Sequence, residues 1–182
     1  MKATGIVRRI DDLGRVVVPK EIRRTLRIRE GDPMEIFTNH DGEIILKKYS
    51  PIGEMDGFAK QYAEALAQVS GYKVIISDRD QIIAVAGGAK KEMLGKNISQ
   101  QLEELINERD VLTTAGGVAK SIPIIENESA PEMGQVIYPI ICEGDIIGSV
   151  TIVSKDEKQD VTVTEQKLAG VAAAFLGRQM EA

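Results

Sequence analysis

The chain has 182 residues and a mass of 19.9 kDa, a length that suits one large domain or two small ones. Hydrophobic residues make up 43% and charged residues 28%, which is typical of a folded protein and excludes a disordered one. No apolar run reaches the ~18–20 residues that a bilayer requires, and no signal-peptide core follows Met1. We therefore predict a cytoplasmic protein that is not bound to a membrane.

The single cysteine and the single histidine restrict the chemistry that the chain can perform. Cys142 alone excludes an intramolecular disulfide and a Cys-rich zinc module, and His40 alone excludes a two-histidine metal site. His40 lies in a predicted turn and should face solvent, whereas Cys142 lies in an apolar strand and should be a buried structural thiol. The second half has no histidine to activate a nucleophile. We predict neither a catalytic site nor a metal site.

The net charge of −5 conceals an asymmetry along the chain. Residues 1–29 hold nine Lys and Arg against three acidic residues, a local charge of +6, whereas residues 54–182 carry −8. One interpretation of this charge distribution is an ordinary solvated surface that binds no polyanion. A basic segment joined to an acidic body nevertheless favours a head that binds a polyanion.

The first 30 residues predict a hairpin followed by a short cationic helix. Two β-branched runs, residues 4–10 and 15–18, flank Asp11-Asp12-Leu13-Gly14, which is a hairpin pattern. Pro19 ends the second run and suits the start of a helix over 20–27. Like charges in one stripe destabilise such a helix by about 0.2–0.5 kcal/mol per pair, which again indicates an anionic partner. The stripe consists of Lys20, Arg23, Arg24 and Arg27.

A second hairpin is predicted from residues 34–38 and 43–48, with its turn at Asn39-His40-Asp41-Gly42. Four short strands and one short helix within ~50 residues bury too little apolar surface for a stable monomer. Interleaving the hairpins of two chains would double the core. We therefore expect residues 1–50 to form an obligate dimer.

Residues 51–54 are predicted to be a linker, because Pro51 stops the preceding strand and Gly53 loosens the chain. Residues 55–182 then alternate helices and strands in an order that predicts an α+β domain with an antiparallel sheet. Strands are expected at 72–77, 81–86, 120–125, 136–142 and 146–154. A helical region over 90–109, broken near Gly95, should lie between them.

Two helices are predicted to bracket this sheet. The first, over 55–69, carries an apolar seam of Phe58, Tyr62, Leu66 and Val69. The second begins at a capping box formed by Thr162 and Glu165 and carries an apolar stripe with a flank of small residues. These small residues are expected to let another helix pack closely: Ala169, Gly170, Ala173, Ala174 and Gly177.

The N-terminal segment resembles the swapped-hairpin DNA-binding domain of AbrB-type transition-state regulators through Tyr49. The resemblance is carried most specifically by Gly14-Arg15-Val16-Val17-Val18-Pro19-Lys20-Glu21-Ile22-Arg23. It implies an intertwined dimer, a swapped-hairpin β-barrel, that binds double-stranded DNA through arginines. Carried over by position, the binding residues are Arg8, Arg15, Arg23 and Arg24, with Lys2, Arg9 and Lys20 as peripheral contacts.

Residues 55–182 are similar to GAF domains, and the ending Arg178-Gln179-Met180-Glu181 resembles that of sporulation regulators of endospore formers. The combined resemblance implies a forespore transcription regulator, associated with the nucleoid, that activates or represses sporulation genes. Its terminal helices would join two dimers into a homotetramer. We predict no cofactor, but GAF relatives often bind small molecules. No residue matches a cyclic-nucleotide or chromophore motif, so a small-molecule ligand of this domain stays open.

Two other classes remain as alternatives. Swapped-hairpin heads also occur in antitoxins, but those proteins usually end in a disordered tail, whereas residues 54–182 look folded. A GAF-type enzyme such as a sulfoxide reductase needs several cysteines, and only Cys142 is present. A regulator that is not an enzyme is the favoured interpretation.

Overall fold

The computed structural model describes residues 5–54, 56–88, 90–117, 119–156 and 159–181. It divides the chain into two compact units, Met1–Tyr49 and Ser50–Ala182. Among the described residues, no helix has both the length and the apolar character needed to cross a bilayer.

The N-terminal unit contains one short helix and one hairpin among its described residues. Helix α1 spans Lys20–Thr25 and ends two residues before the predicted position. Strands β1 (Met34–Thr38) and β2 (Ile44–Lys48) pair antiparallel, as the sequence predicts. The side chain of Asn39 fixes their turn, because its Oδ1 accepts hydrogen bonds from the amides of Asp41 and Glu43 at 3.1 and 2.9 Å.

The first predicted hairpin is present only as its turn. The amide of Asp11 donates to the carbonyl of Arg15 at 3.0 Å, and that of Gly14 donates to the carbonyl of Asp11 at 3.0 Å. The residues described on either side of this turn, 5–10 and 15–18, belong to no strand or helix. The two strands that the sequence predicts here are therefore not formed by the described residues of the single chain.

The C-terminal unit starts with α2 (Pro51–Glu54), a helical turn where the sequence predicts a linker. Ile52 is fully buried in the core, which explains why the turn is fixed. The remaining elements are α3 (Asp56–Ser70), β3 (Lys73–Ser77), β4 (Ile82–Ala86), α4 (Lys90–Met93), α5 (Gln100–Asn107), β5 (Leu112–Thr113), β6 (Gln135–Cys142), β7 (Asp145–Val153) and α6 (Val163–Gln179).

A five-stranded antiparallel sheet, in the order β4-β3-β7-β6-β5, separates two apolar layers. Neighbouring residues of a strand point to opposite faces, so Val74 and Ile76 pack in the layer with α3 and α6, whereas Ile75 packs with α5. The fold is α+β, as predicted. The capping box also forms, since Thr162 and Glu165 bond each other's backbone at the start of α6.

Three details of this unit differ from the prediction. The fully buried stripe of α3 consists of alanines, Ala59, Ala63 and Ala67, whereas the predicted apolar seam is half-buried against the core at Phe58, Tyr62 and Leu66 and exposed at Val69. The edge strand is β5, whereas the described residues between 119 and 125 form a loop without a named strand. Among the small residues of α6, Ala169, Ala173 and Gly177 are buried in the layer that α6 forms with the sheet, whereas Ala174 is exposed, and a Cβ on Gly177 would clash with the carbonyl oxygen of Ile141.

Candidate nucleic-acid interface

The turn before Pro19 presents Arg15 on a fixed backbone. Asp11 Oδ1 accepts the amides of Leu13 and Arg15 at 3.1 and 2.7 Å, and its Oδ2 accepts Arg15 Nε at 2.8 Å. The hydrogen bonds from the Arg15 backbone and guanidinium lower the pKa of Asp11, so this carboxylate remains charged. Arg15 is largely exposed, so an anionic group of a bound molecule can reach its guanidinium and replace Asp11 as the partner.

Helix α1 carries three of the predicted binding residues. Lys20 and Arg24 are exposed, and Arg23 is half-buried. Pro19 lies buried at the N-cap, and its carbonyl accepts the amide of Arg23 at 3.0 Å, so the proline fixes where the helix begins. The helix therefore holds the two arginines side by side on a short rigid segment.

Two of the other predicted residues, Arg8 and Arg9, lie in the segment that precedes the turn. Both are exposed, and Arg8 Nη1 donates to the carbonyl of Val7 at 3.4 Å. Lys2 lies outside the described residues. The described cations are thus distributed over three parts of the same unit: the segment before the turn, the turn itself and α1.

The end of α1 is held by an ion pair that the sequence analysis missed. Lys48 Nζ lies 3.0 Å from Asp32 Oδ2 and donates to the carbonyl of Arg27 at 2.8 Å. Asp32 also accepts the amide of Arg29 at 2.8 Å, and its side chain is almost completely buried. The pair joins the end of β2 to the segment after α1. Gly31-Asp32-Pro33 marks a turn in the sequence, but nothing there identifies Lys48 as its partner.

The single cysteine of the chain, Cys142, lies in β6 of the C-terminal unit and is less buried than predicted. Burial, with help from Glu143, Glu181 and Asp145, raises the pKa of the half-buried Cys142 thiol, so little reactive thiolate forms at neutral pH. Among the described residues there is no group of three or more His, Cys, Asp or Glu side chains that could hold a metal ion. In the N-terminal unit, His40 lies exposed in its turn, as predicted.

Asp78 is a buried carboxyl of this unit, and its role is structural. Burial raises its pKa despite hydrogen bonds that favour the charged form. Its Oδ1 accepts the amides of Asp80 and Gln81, both at 2.7 Å, and its Oδ2 accepts the hydroxyl of Ser50 at 3.0 Å. The two bonds from the amides form the turn between β3 and β4, and the bond from the hydroxyl connects Ser50 to that turn.

A family model and a full-length relative match this chain. The model described as stage V sporulation protein T C-terminal, transcription factor, matches residues 54–181. Stage V sporulation protein T of Bacillus subtilis (strain 168) is 54% identical over 181 residues, which cover 100% of this chain and 99% of that protein. The chain belongs to the stage V sporulation protein T family. This finding confirms the predicted resemblance to sporulation regulators.

The N-terminal unit of this family member has relatives of its own. The transition state regulatory protein AbrB of Bacillus subtilis (strain 168) is 63% identical over 51 residues, which cover 28% of this chain and 52% of that protein. A model described as antidote-toxin recognition MazE, bacterial antitoxin, matches residues 7–54. The AbrB-like fold of the N-terminal unit is therefore confirmed.

The C-terminal unit has the GAF fold, as solved structures show. The GAF domain of an Acinetobacter phosphoenolpyruvate-protein phosphotransferase aligns with a TM-score of 0.54 at 11% identity, over 74% of this chain and 84% of that chain. At this identity the likeness concerns the fold alone. Residues 56–181, where described, are folded, which distinguishes this family member from antitoxins that end in a disordered tail.

Proposed function

We propose that this chain regulates sporulation genes by binding duplex DNA through arginines of its N-terminal unit. The binding residues are the set predicted from the sequence: Arg8, Arg15, Arg23 and Arg24, with Lys2, Arg9 and Lys20 at the periphery. The main observation behind this proposal is that Arg15 and Arg24 are exposed, Arg15 on a hydrogen-bonded turn and Arg24 on helix α1. Both lie in a unit whose relative is a transition-state regulator. Guanidinium groups are permanently charged forks that pair with phosphate and with guanine.

The N-terminal unit is proposed to work as an intertwined dimer. Its apolar residues lie open to solvent in the single chain: Val7 is 84% and Ile36 66% exposed, and Val17 and Ile44 are also exposed. The described segments beside the Asp11 turn belong to no sheet, so their backbone groups can pair with further strands. A second copy of the chain would cover the apolar residues and pair with these segments. Twofold symmetry then presents each arginine twice to the two strands of a duplex.

The salt dependence of binding tests this proposal. If four arginines of each of two chains contact phosphate, about eight phosphates are neutralised, and log K against log salt should have a slope of about −7. The probe is a labelled duplex obtained from random-sequence DNA by selection with the full chain, which we call the selected duplex. Its separated strands should bind more weakly. A binding constant that does not respond to sodium chloride would contradict the proposal.

The outer faces of α3 and α6 support assembly of two dimers into a tetramer. Phe58 and Tyr62 of α3 and Phe175 of α6 form an aromatic cluster, in which the rings of Tyr62 and Phe175 stack with centroids 5.4 Å apart. Val171, 63% exposed, extends the apolar surface along α6, and Val69 of α3 is 82% exposed. We propose that this surface joins two dimers, so that a second DNA-binding head raises avidity.

Val171→Glu should reduce the assembly from four chains to two. A carboxylate at an exposed position costs the single chain little, but its burial in a helix–helix interface is strongly unfavourable. Light scattering of the full chain measures the change. Val111→Glu is the matched control, because Val111 is also an exposed valine but follows α5. A tetrameric mass for Val171→Glu would exclude this face, as would a dimeric mass for both variants.

We further propose that the protein acts without catalysis, in the cytoplasm and at the nucleoid of the forespore. The raised pKa of the lone Cys142 supports this, since thiol-based reduction requires a reactive thiolate. Turnover assays on the purified full chain with methionine sulfoxide test the enzyme alternative. Sustained reduction of that substrate would contradict the proposal.

A further inference from the structure

Helix α1 is too short to hold its own position. It has six residues, and none of them is buried in the single chain. Isolated helices of fewer than about 12 residues are marginal in water, and most helical stability in proteins comes from tertiary contacts. The direction of α1, and with it the placement of Arg23 and Arg24, therefore depends on what holds the two ends of the helix.

The two ends of α1 are held by different groups. Pro19 is buried at the start of the helix. Beyond the other end, Lys48 Nζ donates to the carbonyl of Arg27 at 2.8 Å and lies 3.0 Å from Asp32 Oδ2. Asp32 Oδ2 also accepts the amide of Arg29 at 2.8 Å. The ion pair thus bonds the main chain at two points shortly after the helix.

The same ion pair is fixed to the β-hairpin of this unit. Lys48 is the last residue of β2 and lies opposite Met34 of β1. The side chain of Asp32 is 3% exposed and that of Lys48 is 22% exposed. Salt screens a pair that is shielded from water much less than an exposed pair. The segment after α1 is therefore tied to a hydrogen-bonded hairpin by a contact that persists at physiological salt.

We propose that Asp32 and Lys48 are positioning residues of the DNA interface, which hold the arginines of α1 at the angle that a duplex requires. The inference rests on the proposed function, because it concerns how the same interface is kept in place. The pair acts through α1 and does not itself contact DNA. Hydrogen bonds from guanidinium groups to phosphate and guanine are directional, so a small movement of α1 lowers affinity without removing any cation.

Asp32→Asn in the full chain tests the proposal by the sign of its effect. Asparagine keeps the size of the side chain and an oxygen that can accept the Arg29 amide, but it has no charge to attract Lys48. If charge alone mattered, removal of an acidic residue from the basic unit would raise affinity for the selected duplex. We expect a fall of about tenfold instead, the size of one weakened charge-assisted contact. Gel-shift titration measures the affinity, and light scattering should show an unchanged assembly.

Double-mutant cycles show whether this loss acts through α1. Asp32→Asn is combined with Arg24→Ala on the helix and with Arg15→Ala on the turn, at low salt so that weak complexes can be measured. The loss due to Asp32→Asn should shrink from about tenfold to less than about threefold in the Arg24→Ala background, because coupled residues are not additive. It should stay at about tenfold in the Arg15→Ala background, because Asp11 holds that turn. Equal losses in all backgrounds would indicate a general effect on folding and overturn the inference.

The double variant Asp32→Asn/Lys48→Met decides the question if Asp32→Asn folds poorly. Removal of one partner of a buried pair leaves an uncompensated charge, whereas replacement of both partners is often neutral for stability. The net charge of the chain does not change, yet the bond to the Arg27 carbonyl is lost. Affinity should therefore again fall about tenfold. Wild-type affinity of this variant would overturn the inference.

Glu128→Gln is the matched control. It removes the same charge as Asp32→Asn and breaks an ion pair of similar length in the C-terminal unit, between Lys96 Nζ and Glu128 Oε1 at 2.9 Å, and its affinity should match the wild type. Unchanged or higher affinity of Asp32→Asn overturns the inference. If Arg24→Ala weakens binding while Asp32→Asn does not, only this inference fails; if neither variant changes the affinity, the proposed function fails as well.

Discussion

Replacement of Arg24 by alanine is expected to reduce affinity for the selected duplex by at least about 100-fold at physiological salt. Charge-assisted hydrogen bonds contribute roughly 1.5–3 kcal/mol each, and a twofold dimer loses two of them. Arg24 is exposed on α1, so its truncation removes no packing from the core. The assembly and the thermal stability should therefore be those of the wild type.

Gel-shift titration measures the affinity, and light scattering on the same sample measures the assembly. Arg178→Ala is the matched control, because Arg178 is an exposed arginine near the end of α6, in the other unit. Arg23→Ala should lose affinity to a similar degree, with a small loss of stability because Arg23 is half-buried. Wild-type affinity for both α1 variants would refute the assignment of the interface to this helix.

The cationic helix and its turn could be predicted because their signals are local. Pro19 fixes the start of α1, and Asp11 and Gly14 define the turn that presents Arg15, all within a few residues. The pairing of Lys48 with Asp32 could not be predicted, since the two residues are 16 positions apart and each is unremarkable alone. A long-range pair of this kind forms only when the tertiary fold places the end of β2 next to the segment that follows α1.

The first hairpin was predicted from its pattern, yet the single chain forms only its turn. Periodicity reports which residues favour extended structure, but not which chain supplies the hydrogen-bonding partners. Val7 and Val17 illustrate this limit. They lie in β-branched runs that favour strands, yet both side chains are exposed in the single chain, and only an additional protein surface could bury them. In the proposed dimer these partners belong to a second chain, and no pattern within one sequence identifies them.

In the C-terminal unit, the sequence analysis found the helices but only part of their buried faces. The predicted residues Phe58, Tyr62 and Leu66 of α3 are half-buried against the core. The fully buried residues are alanines such as Ala59 and Ala63, whose small side chains let the helix lie close to the sheet. Phe58 and Tyr62 then project sideways into the aromatic cluster with Phe175. Residue size, which hydrophobic periodicity ignores, decides how closely a helix packs.

Gly177→Ala tests this close packing and should be the most destabilising substitution predicted for α6. The new Cβ would lie far inside van der Waals contact with the carbonyl oxygen of Ile141, a backbone atom of β6 that cannot move without shifting the sheet. Relief of that clash requires α6 to move outward, which loosens the buried Leu176 and Ala173. We expect a loss of about 1–3 kcal/mol in the free energy of unfolding.

Gly57→Ala is the matched control, because Gly57 is also a helical glycine but an added Cβ there would meet no atom within 4 Å. That variant should gain about 0.5–1 kcal/mol, since alanine restricts the unfolded chain and favours helix. Urea unfolding of both full-length variants measures the difference, and equal stabilities would contradict close contact between α6 and β6. The contact also bears on the proposed assembly. The orientation of α6 about its own axis that places Gly177 against the sheet leaves Val171 exposed on the outer face of the helix.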